Sequence, residues 1–330
     1  MLIKKMIISN ELKKHFLDLG YSCVKPYNIV NKNDTVFISA GIQPLLASVR
    51  KGDLNDKSKY YISQPVIRTQ FANDISEGFS IAFINSTTAC FNKSEKEHNE
   101  LVEDWLNLFY ELGIKKEQIS TREKDYERLW GDLLVKGKTK FYYCDNIELG
   151  DTTFFTNITK DGKNIVLETM SDVGFGLERI RWVTTKNPYF DLYSDSSNMP
   201  ANVKALLSAL SLLAVNNVMP TNKNSGYRTR LFSKKLATEL NGLSLSDKEL
   251  KYLNECVKYW EDWQESEDKT DVNSILNEYI RNCNRLILDY LMNKGYKNVS
   301  SIDINLSKLE FKKRLKSANV NENDLKQFEL

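Results

Sequence analysis

Ser171-Asp172-Val173-Gly174-Phe175-Gly176-Leu177-Glu178-Arg179-Ile180 joins a predicted strand to a predicted helix. Two glycines allow the backbone to approach a ligand closely, and the amino end of a helix favours anions. Arg179, in the first helical turn, carries a forked guanidinium that suits phosphate. The segment is therefore typical of a nucleotide-binding turn, although an ordinary strand-to-helix turn with a surface arginine has the same pattern.

The residues before this segment predict a sheet. Lys140–Asp145, Thr152–Thr159 and Asn164–Met170 are rich in β-branched and aromatic residues. The turn Lys160–Lys163 contains Asp-Gly, which is a strong hairpin signal. Because no long crossover helix separates these strands, the pattern favours an antiparallel sheet over a doubly wound parallel one.

The first 112 residues alternate between helix and strand patterns. Amphipathic helices are predicted at Glu11–Leu19 and Lys96–Leu112. Strands are predicted at Thr35–Ser39 and at Tyr60–Arg68, with Pro65 interrupting the second.

Beyond about residue 195 the periodicity becomes helical. The predicted helices are Asn202–Asn216, Gly226–Leu240, Asp247–Trp263 and Val272–Lys294. The fold class expected is therefore α+β, with a mixed domain at residues 1–195 and an all-helical domain at 196–330.

Composition excludes several classes of protein. The 330 residues are 41% hydrophobic and 27% charged with a net charge of +2, and no apolar run suits a membrane span or a secretory signal. We therefore expect a cytoplasmic protein with no membrane partner. Five dispersed cysteines and two histidines predict reduced core thiols and no metal site. The usual glycine-rich phosphate-loop signature is also missing.

Five segments, in order along the chain, resemble motifs of alanyl-tRNA synthetase, a class II aminoacyl-tRNA synthetase. They are Phe37–Ile42, Ser63–Arg68, Trp130–Asp132, the opening segment Ser171–Ile180, and Val218–Asn222 with Gly226–Arg230. The resemblance covers roughly residues 10–240. It implies a short form or paralogue without the family's editing and C-terminal domains.

The resemblance implies a fold and a function. The fold would be a class II synthetase-like antiparallel β-sheet flanked by helices, followed by an all-helical domain that could bind a tRNA acceptor stem. The first domain would use ATP and Mg²⁺ to form an aminoacyl-adenylate from alanine or a related small amino acid. The expected partners are the amino acid and tRNA, and dimerisation, common among class II synthetases, is a further expectation.

Site residues follow from individual matches to the family motifs. Arg68 and Arg179 would be catalytic. Arg68 would bind the α-phosphate and stabilise the negative charge that develops on this phosphate during the reaction. Asp172 would pair with the substrate ammonium, although a helix N-cap explains it too. The other ATP-binding residues implied are Asp74, Phe79 and Gly176, and the other substrate-binding residues are Trp130, Asp151 and Gly174.

The helical half supplies candidate RNA contacts. Arg228, Arg230, Lys234 and Lys235 lie on one predicted helix and could meet phosphates. Asn222 matches a family position implied to contact an acceptor-stem base pair from the minor groove. A solvated basic helix face explains the same residues.

Three departures from the family pattern bear on substrate and chemistry. Thr69–Ala72 replaces a loop that carries a phosphate-facing lysine, and Ile81 replaces the motif glutamate, although Asn85 matches. Asp151 stands where the family usually has asparagine, so the added carboxylate could favour a cationic substrate group.

Two alternatives remain open. A paralogue could adenylate an amino acid and transfer it to a carrier protein or a small-molecule amine, as the altered loop suggests. A non-catalytic regulator could keep the fold, which the loss of the motif glutamate permits and the retained arginines disfavour.

Overall fold

A computed structural model describes residues 11–30, 37–70, 80–130, 132–164, 169–186, 199–264 and 270–329. These residues form two compact units, the first containing the described residues up to 186 and the second those from 199 onward. Within the described ranges, no helix combines the length and apolar character that a membrane crossing requires.

The first unit is built on one mixed sheet. Its strands are β1 (Ser22–Val24), β2 (Tyr60–Ile67), β3 (Ala82–Phe91), β4 (Ile119–Trp130), β5 (Leu133–Cys144), β6 (Ile147–Lys160), β7 (Lys163–Asn164) and β8 (Met170–Gly176). The spatial order is β1-β2-β3-β8-β6-β5-β4, and β7 pairs with β6. β1 and β2 are parallel, whereas the other pairs are antiparallel. Together with the helices, this arrangement confirms the predicted α+β class.

The Asp-Gly turn of the predicted hairpin is confirmed, whereas residues 165–168 of its predicted second strand, Asn164–Met170, lie outside the described residues. Asp161 and Gly162 join β6 to β7 with φ angles of 50° and 74°. Positive φ at both central residues defines a type I′ turn, whose twist matches that of the flanking strands.

Two strand predictions were wrong in detail. β2 runs through Pro65, which lies opposite Ile84 in the β2–β3 pair, so the proline does not interrupt the strand. Residues 37–39 are not in a strand, and residues 35 and 36 lie outside the described ranges.

Helices cover both faces of the sheet. The helices of this unit are α1 (residues 11–18), α2 (Ile42–Lys51), α3 (Glu95–Glu111) and α4 (Leu177–Thr185). On one face, Trp105 of α3 packs against Phe175 and donates from Nε1 to Thr88 Oγ1 at 2.9 Å. On the other, Ile42 and Leu45 of α2 pack in a core with strand residues such as Ile62. β3 lies between these layers and is buried along its whole length.

The second unit is helical. Its helices are α5 (Ala201–Val215), α6 (Asn224–Glu239), α7 (Asp247–Gln264), α8 (Asn273–Asn293), α9 (Lys308–Ser317) and α10 (Glu322–Lys326). The first four confirm the predicted helices to within two residues at each end. Trp260 of α7 is fully buried and donates from Nε1 to the Ser208 carbonyl of α5 at 2.9 Å. Phe311 and Leu325 bring α9 and α10, which the sequence did not predict, onto the end of α8.

Candidate active site

One face of the sheet carries the predicted substrate-binding carboxylates. In the β6–β8 pair, Asp151 lies opposite Gly174 and Thr153 lies opposite Asp172. Directly paired residues share a face, so both aspartates and Gly174 emerge on the same side. Gly174 is also paired with Thr87 of β3, which continues this face across the sheet.

Arg68 follows the end of β2 at the edge of the same face. Its Nε donates to the Ser39 carbonyl at 3.0 Å, and its guanidinium lies 5.0 Å from the centre of the Phe83 ring. Burial lowers the pKa of Arg68, whereas the Asp151 carboxylate raises it. Because arginine ordinarily titrates far above neutrality, Arg68 stays cationic. Its two terminal nitrogens make no hydrogen bond to any described residue, so they can donate to a ligand.

The two aspartates sit in an environment that disfavours charge. Burial raises the pKa of Asp151, and burial followed by the Asp151 charge raises the pKa of Asp172 well above its ordinary value. The Arg68 cation opposes both shifts. Asp172 Oδ1 is buried with no hydrogen-bond partner in the described ranges. A buried acceptor left unsatisfied is costly, so this oxygen is suited to an incoming donor such as an ammonium.

Arg179 is fixed beside this group by Glu148. Its Nη1 donates to the Glu148 carbonyl and to Glu148 Oε1, each at 3.0 Å, and the arginine side chain is only 8% exposed. The Arg179 charge lowers the pKa of Arg68, which shows that the two guanidinium groups act on each other. We call Arg68, Glu148, Asp151, Asp172 and Arg179 the charged cluster.

Glu178 anchors the helix that carries Arg179. It is fully buried, and both carboxylate oxygens accept from the Ile84 backbone N–H, at 3.1 and 3.0 Å. This contact ties the first turn of α4 to β3. The sequence showed Glu178 within the opening segment, but nothing in the pattern indicated a partner 94 residues away.

Gly41 and Gly174 pack closely against a hydrogen-bonded pair of side chains, Asn85 and Thr87, on the same face of the sheet as the cluster. Gly41 N–H donates to Asn85 Oδ1 at 2.7 Å, and Thr87 Oγ1 donates to the same oxygen at 3.0 Å. A Cβ at Gly41 would lie 2.7 Å from Thr87 Oγ1, and one at Gly174 would lie 3.1 Å from the same atom and from Asn85 Nδ2. Here the backbone packs closer than a side chain permits, so glycine is required at Gly41.

Trp130 belongs to an aromatic wall next to the carboxylates. It packs edge-on against Phe155 and donates from Nε1 to the Tyr126 hydroxyl at 2.9 Å. Burial raises the pKa of Tyr126, and the charges of Asp172 and Asp151 raise it further. Tyr126 therefore links Trp130 to the charged cluster, a connection that the sequence did not predict.

The remaining predicted site residues have different outcomes. Gly176 ends β8 directly before α4, opposite Asn85 of β3. Asp74 and Phe79 lie outside the described residues. Across the part of the chain that the structure describes, no group of three or more His, Cys, Asp or Glu residues could hold a metal ion.

In the second unit, the predicted RNA-binding residues fall into two groups. Arg230 donates from Nε to Glu278 Oε1 at 3.2 Å and from Nη1 to Asn222 Oδ1, so these two predicted residues contact each other. Lys234 is exposed on α6, whereas Arg228 and Lys235 are half-buried on the same helix.

Comparisons with known proteins found one curated relative and a similar solved structure. The chain is 25% identical over 193 residues, 56% of its length, to an alanine–tRNA ligase from Methanosphaera stadtmanae. It spans about a fifth of that ligase's length, 21%. The chain is also similar to a solved pyrrolysyl tRNA synthetase from Desulfitobacterium hafniense, with 13% identity over 55% of this chain and 67% of that one and a TM-score of 0.39. No family model matches.

Proposed function

We propose that this protein activates an amino acid with ATP, forming an aminoacyl-adenylate, and transfers the aminoacyl group to tRNA. The observation that carries the proposal is the charged cluster. Among the described residues, the terminal nitrogens of Arg68 donate to no partner and the buried Asp172 Oδ1 accepts from none, and the Arg68 charge acts on Asp172. The similarity to an alanine–tRNA ligase over 56% of the chain supports the same chemistry.

The two halves of an amino acid fit the two signs of charge. Asp172 would accept hydrogen bonds from the α-ammonium of the amino acid. Arg68 would donate to the carboxylate of the amino acid and to the α-phosphate of ATP, which this carboxylate attacks. The carboxylate oxygen bonds to the α-phosphorus as pyrophosphate leaves. Arg68 would then stabilise the negative charge that develops there, an interaction whose removal typically costs 10²–10³-fold or more in rate.

Arg179 would bind the outer phosphates. Its contact with Glu148 holds the guanidinium in place before ATP arrives, and the amino end of α4 adds a favourable dipole. Mg²⁺ would accompany ATP and neutralise phosphate charge, which is consistent with the oxygen ligands that this ion prefers. Gly174 and Gly176 would let the β8 backbone approach the bound molecules.

The helical unit would contribute to binding the acceptor tRNA. Lys234, with Arg228 and Lys235 on the same helix, offers positive charge for phosphates. Asn222 and Arg230 form one hydrogen-bonded pair, so Asn222 would be presented in a fixed orientation.

Amino-acid-dependent ATP–pyrophosphate exchange tests activation directly. The wild-type chain should catalyse exchange, and Arg68→Ala should reduce it at least 100-fold. Arg50→Ala, which removes an exposed arginine at the end of α2, is the matched control and should retain full activity. Exchange that persists in Arg68→Ala would refute this placement of the site.

The acceptor is tested in a second stage. Adding total tRNA should produce acid-precipitable aminoacyl-tRNA. Exchange without tRNA acylation would instead favour transfer to a carrier protein or a small-molecule amine, and absence of exchange with every amino acid would favour a regulator that has kept the fold.

A further inference from the structure

The charges of the cluster do not balance when a neutral amino acid is placed in it. Glu148 and Arg179 form an ion pair and compensate each other. Arg68 is then one cation near two carboxyl groups, and the raised pKa values of Asp151 and Asp172 show that the empty site disfavours ionising both together. An amino acid brings one ammonium and one carboxylate, which leaves the imbalance of one negative charge unchanged.

Arg68 and then Arg179 are the main positive charges that favour ionised Asp151, and under the proposed function both guanidinium groups bind the substrate and ATP. Under the proposed function, the α-ammonium meets Asp172 and the substrate carboxylate meets Arg68. Asp151 makes no hydrogen bond or ion pair to any described residue, and burial raises its pKa. The Lys124 charge lowers the pKa of Asp151, but Lys124 Nζ lies over the Phe141 ring, 5.1 Å from its centre, and forms no ion pair with the Asp151 carboxylate.

The strand register leaves space for a second cation. Asp151 lies directly opposite Gly174, which has no side chain. Asp151 and Asp172 are diagonal neighbours across the β6–β8 pair. Diagonal neighbours on one face have Cβ atoms about 7 Å apart. Two ammonium groups separated by a short aliphatic chain can therefore each reach one carboxylate.

We infer that the amino acid activated here carries a second, side-chain ammonium, which binds Asp151. The substrate class is a short diamino acid, and the inference rests on the proposed function for the placement of the α-ammonium and the carboxylate. A neutral side chain would cover the half-buried Asp151 and leave its carboxylate without a partner, which is costly. A site built to bind a charged group rejects the analogue that lacks it more strongly than an apolar pocket distinguishes side-chain size.

Isothermal titration of the full chain with diaminobutyrate and with norvaline tests the inference. The two compounds have side chains of nearly equal size and differ in a terminal ammonium or methyl group. The wild-type chain should bind diaminobutyrate at least 10-fold more tightly than norvaline. Asp151→Asn should reduce this preference to less than 2-fold.

Asp161→Asn is the matched control, because it removes a carboxylate from the exposed β6–β7 turn at a position where asparagine is also favoured. It should keep the wild-type preference. Equal or tighter binding of norvaline, no binding of either compound, or a preference that survives in Asp151→Asn would overturn the inference.

Pyrophosphate exchange separates this inference from the proposed function. Selective binding of diaminobutyrate without any exchange would support the substrate class and refute activation. Exchange with alanine that exceeds exchange with diaminobutyrate, and that is unchanged in Asp151→Asn, would refute the substrate class and leave activation standing.

Discussion

Arg179 donates from a single guanidinium nitrogen to two oxygens of Glu148, the backbone carbonyl and the carboxylate Oε1, each at 3.0 Å. One residue of β6 thus fixes the orientation of a side chain in the first turn of α4. Since both groups are largely buried, the contact is not a flexible surface ion pair of small value. Arg179 is therefore held in place before any ligand binds.

We predict that Glu148→Ala raises the KM for ATP about 10-fold, corresponding to about 1.4 kcal/mol. Arg179 would lose the carboxylate and keep only the backbone carbonyl of residue 148 as an orienting partner, whereas the amino-acid contacts would remain. Pyrophosphate exchange at varied ATP and varied amino acid measures both constants. An equal rise in the amino-acid KM would indicate a general structural defect instead. Glu148→Gln should recover part of the loss because its amide keeps one side-chain acceptor for Arg179.

Glu178→Ala should lower the free energy of unfolding by about 3 kcal/mol. The substitution leaves the buried Ile84 N–H without its carboxylate partner, and hydrogen bonds to charged groups contribute about 1.5–3 kcal/mol. Urea unfolding measures the loss. Glu178→Gln keeps one acceptor and should lose less, so equal losses in the two variants would contradict a role based on this hydrogen bond.

His98 should make stability depend on pH. Burial lowers its pKa to about 4, and Nδ1 has no partner among the described residues. Histidine in the unfolded chain has a pKa of about 6.5, so between about pH 6.5 and pH 4 the unfolded chain binds a proton at His98 and the folded protein does not. Stability should therefore decrease as pH falls from about 6.5 to about 4, by up to about 3 kcal/mol from this residue.

Urea unfolding of the wild type and His98→Leu at pH 7.5 and pH 4.5 isolates this effect. Other acidic groups titrate in both proteins, so the difference between the two pH dependences reports His98. The variant should lose less stability on acidification than the wild type. Parallel pH dependences would show that the pKa of His98 is the same in the folded and unfolded states, which would contradict the prediction.

Substitution of Arg230 should lower the stability of the protein, whereas substitution of Lys234 should change only the binding of tRNA. Arg230→Ala breaks the contact with Glu278, which is 8% exposed but keeps Arg281 at 3.6 Å, and should lower the free energy of unfolding by about 1.5 kcal/mol. Lys234→Ala removes an exposed side chain and should change stability by no more than about 0.5 kcal/mol. If the proposed tRNA contact is real, Lys234→Ala should also reduce the salt dependence of tRNA binding by about one unit of slope. An unchanged slope would remove Lys234 from the interface.

Local sequence patterns were sufficient for much of the secondary structure. The Asp161-Gly162 hairpin and the helices α5 to α8 were predicted because turn residues and helical periodicity are local signals. β3 was not predicted, because a strand buried on both faces shows no alternation of polar and apolar residues. Pro65 misled the prediction, since a proline within a strand usually marks an interruption.

The sequence by itself determined which charged residues are present, and the family resemblance selected Arg68, Asp151, Asp172 and Arg179 as candidates. Only the tertiary structure decided that they meet. β8 pairs with β3 on one side and β6 on the other, so residues far apart in the chain become neighbours on one face. Alternation along a strand is a local property, but register and strand order depend on long-range pairing, and these place the two aspartates on one face.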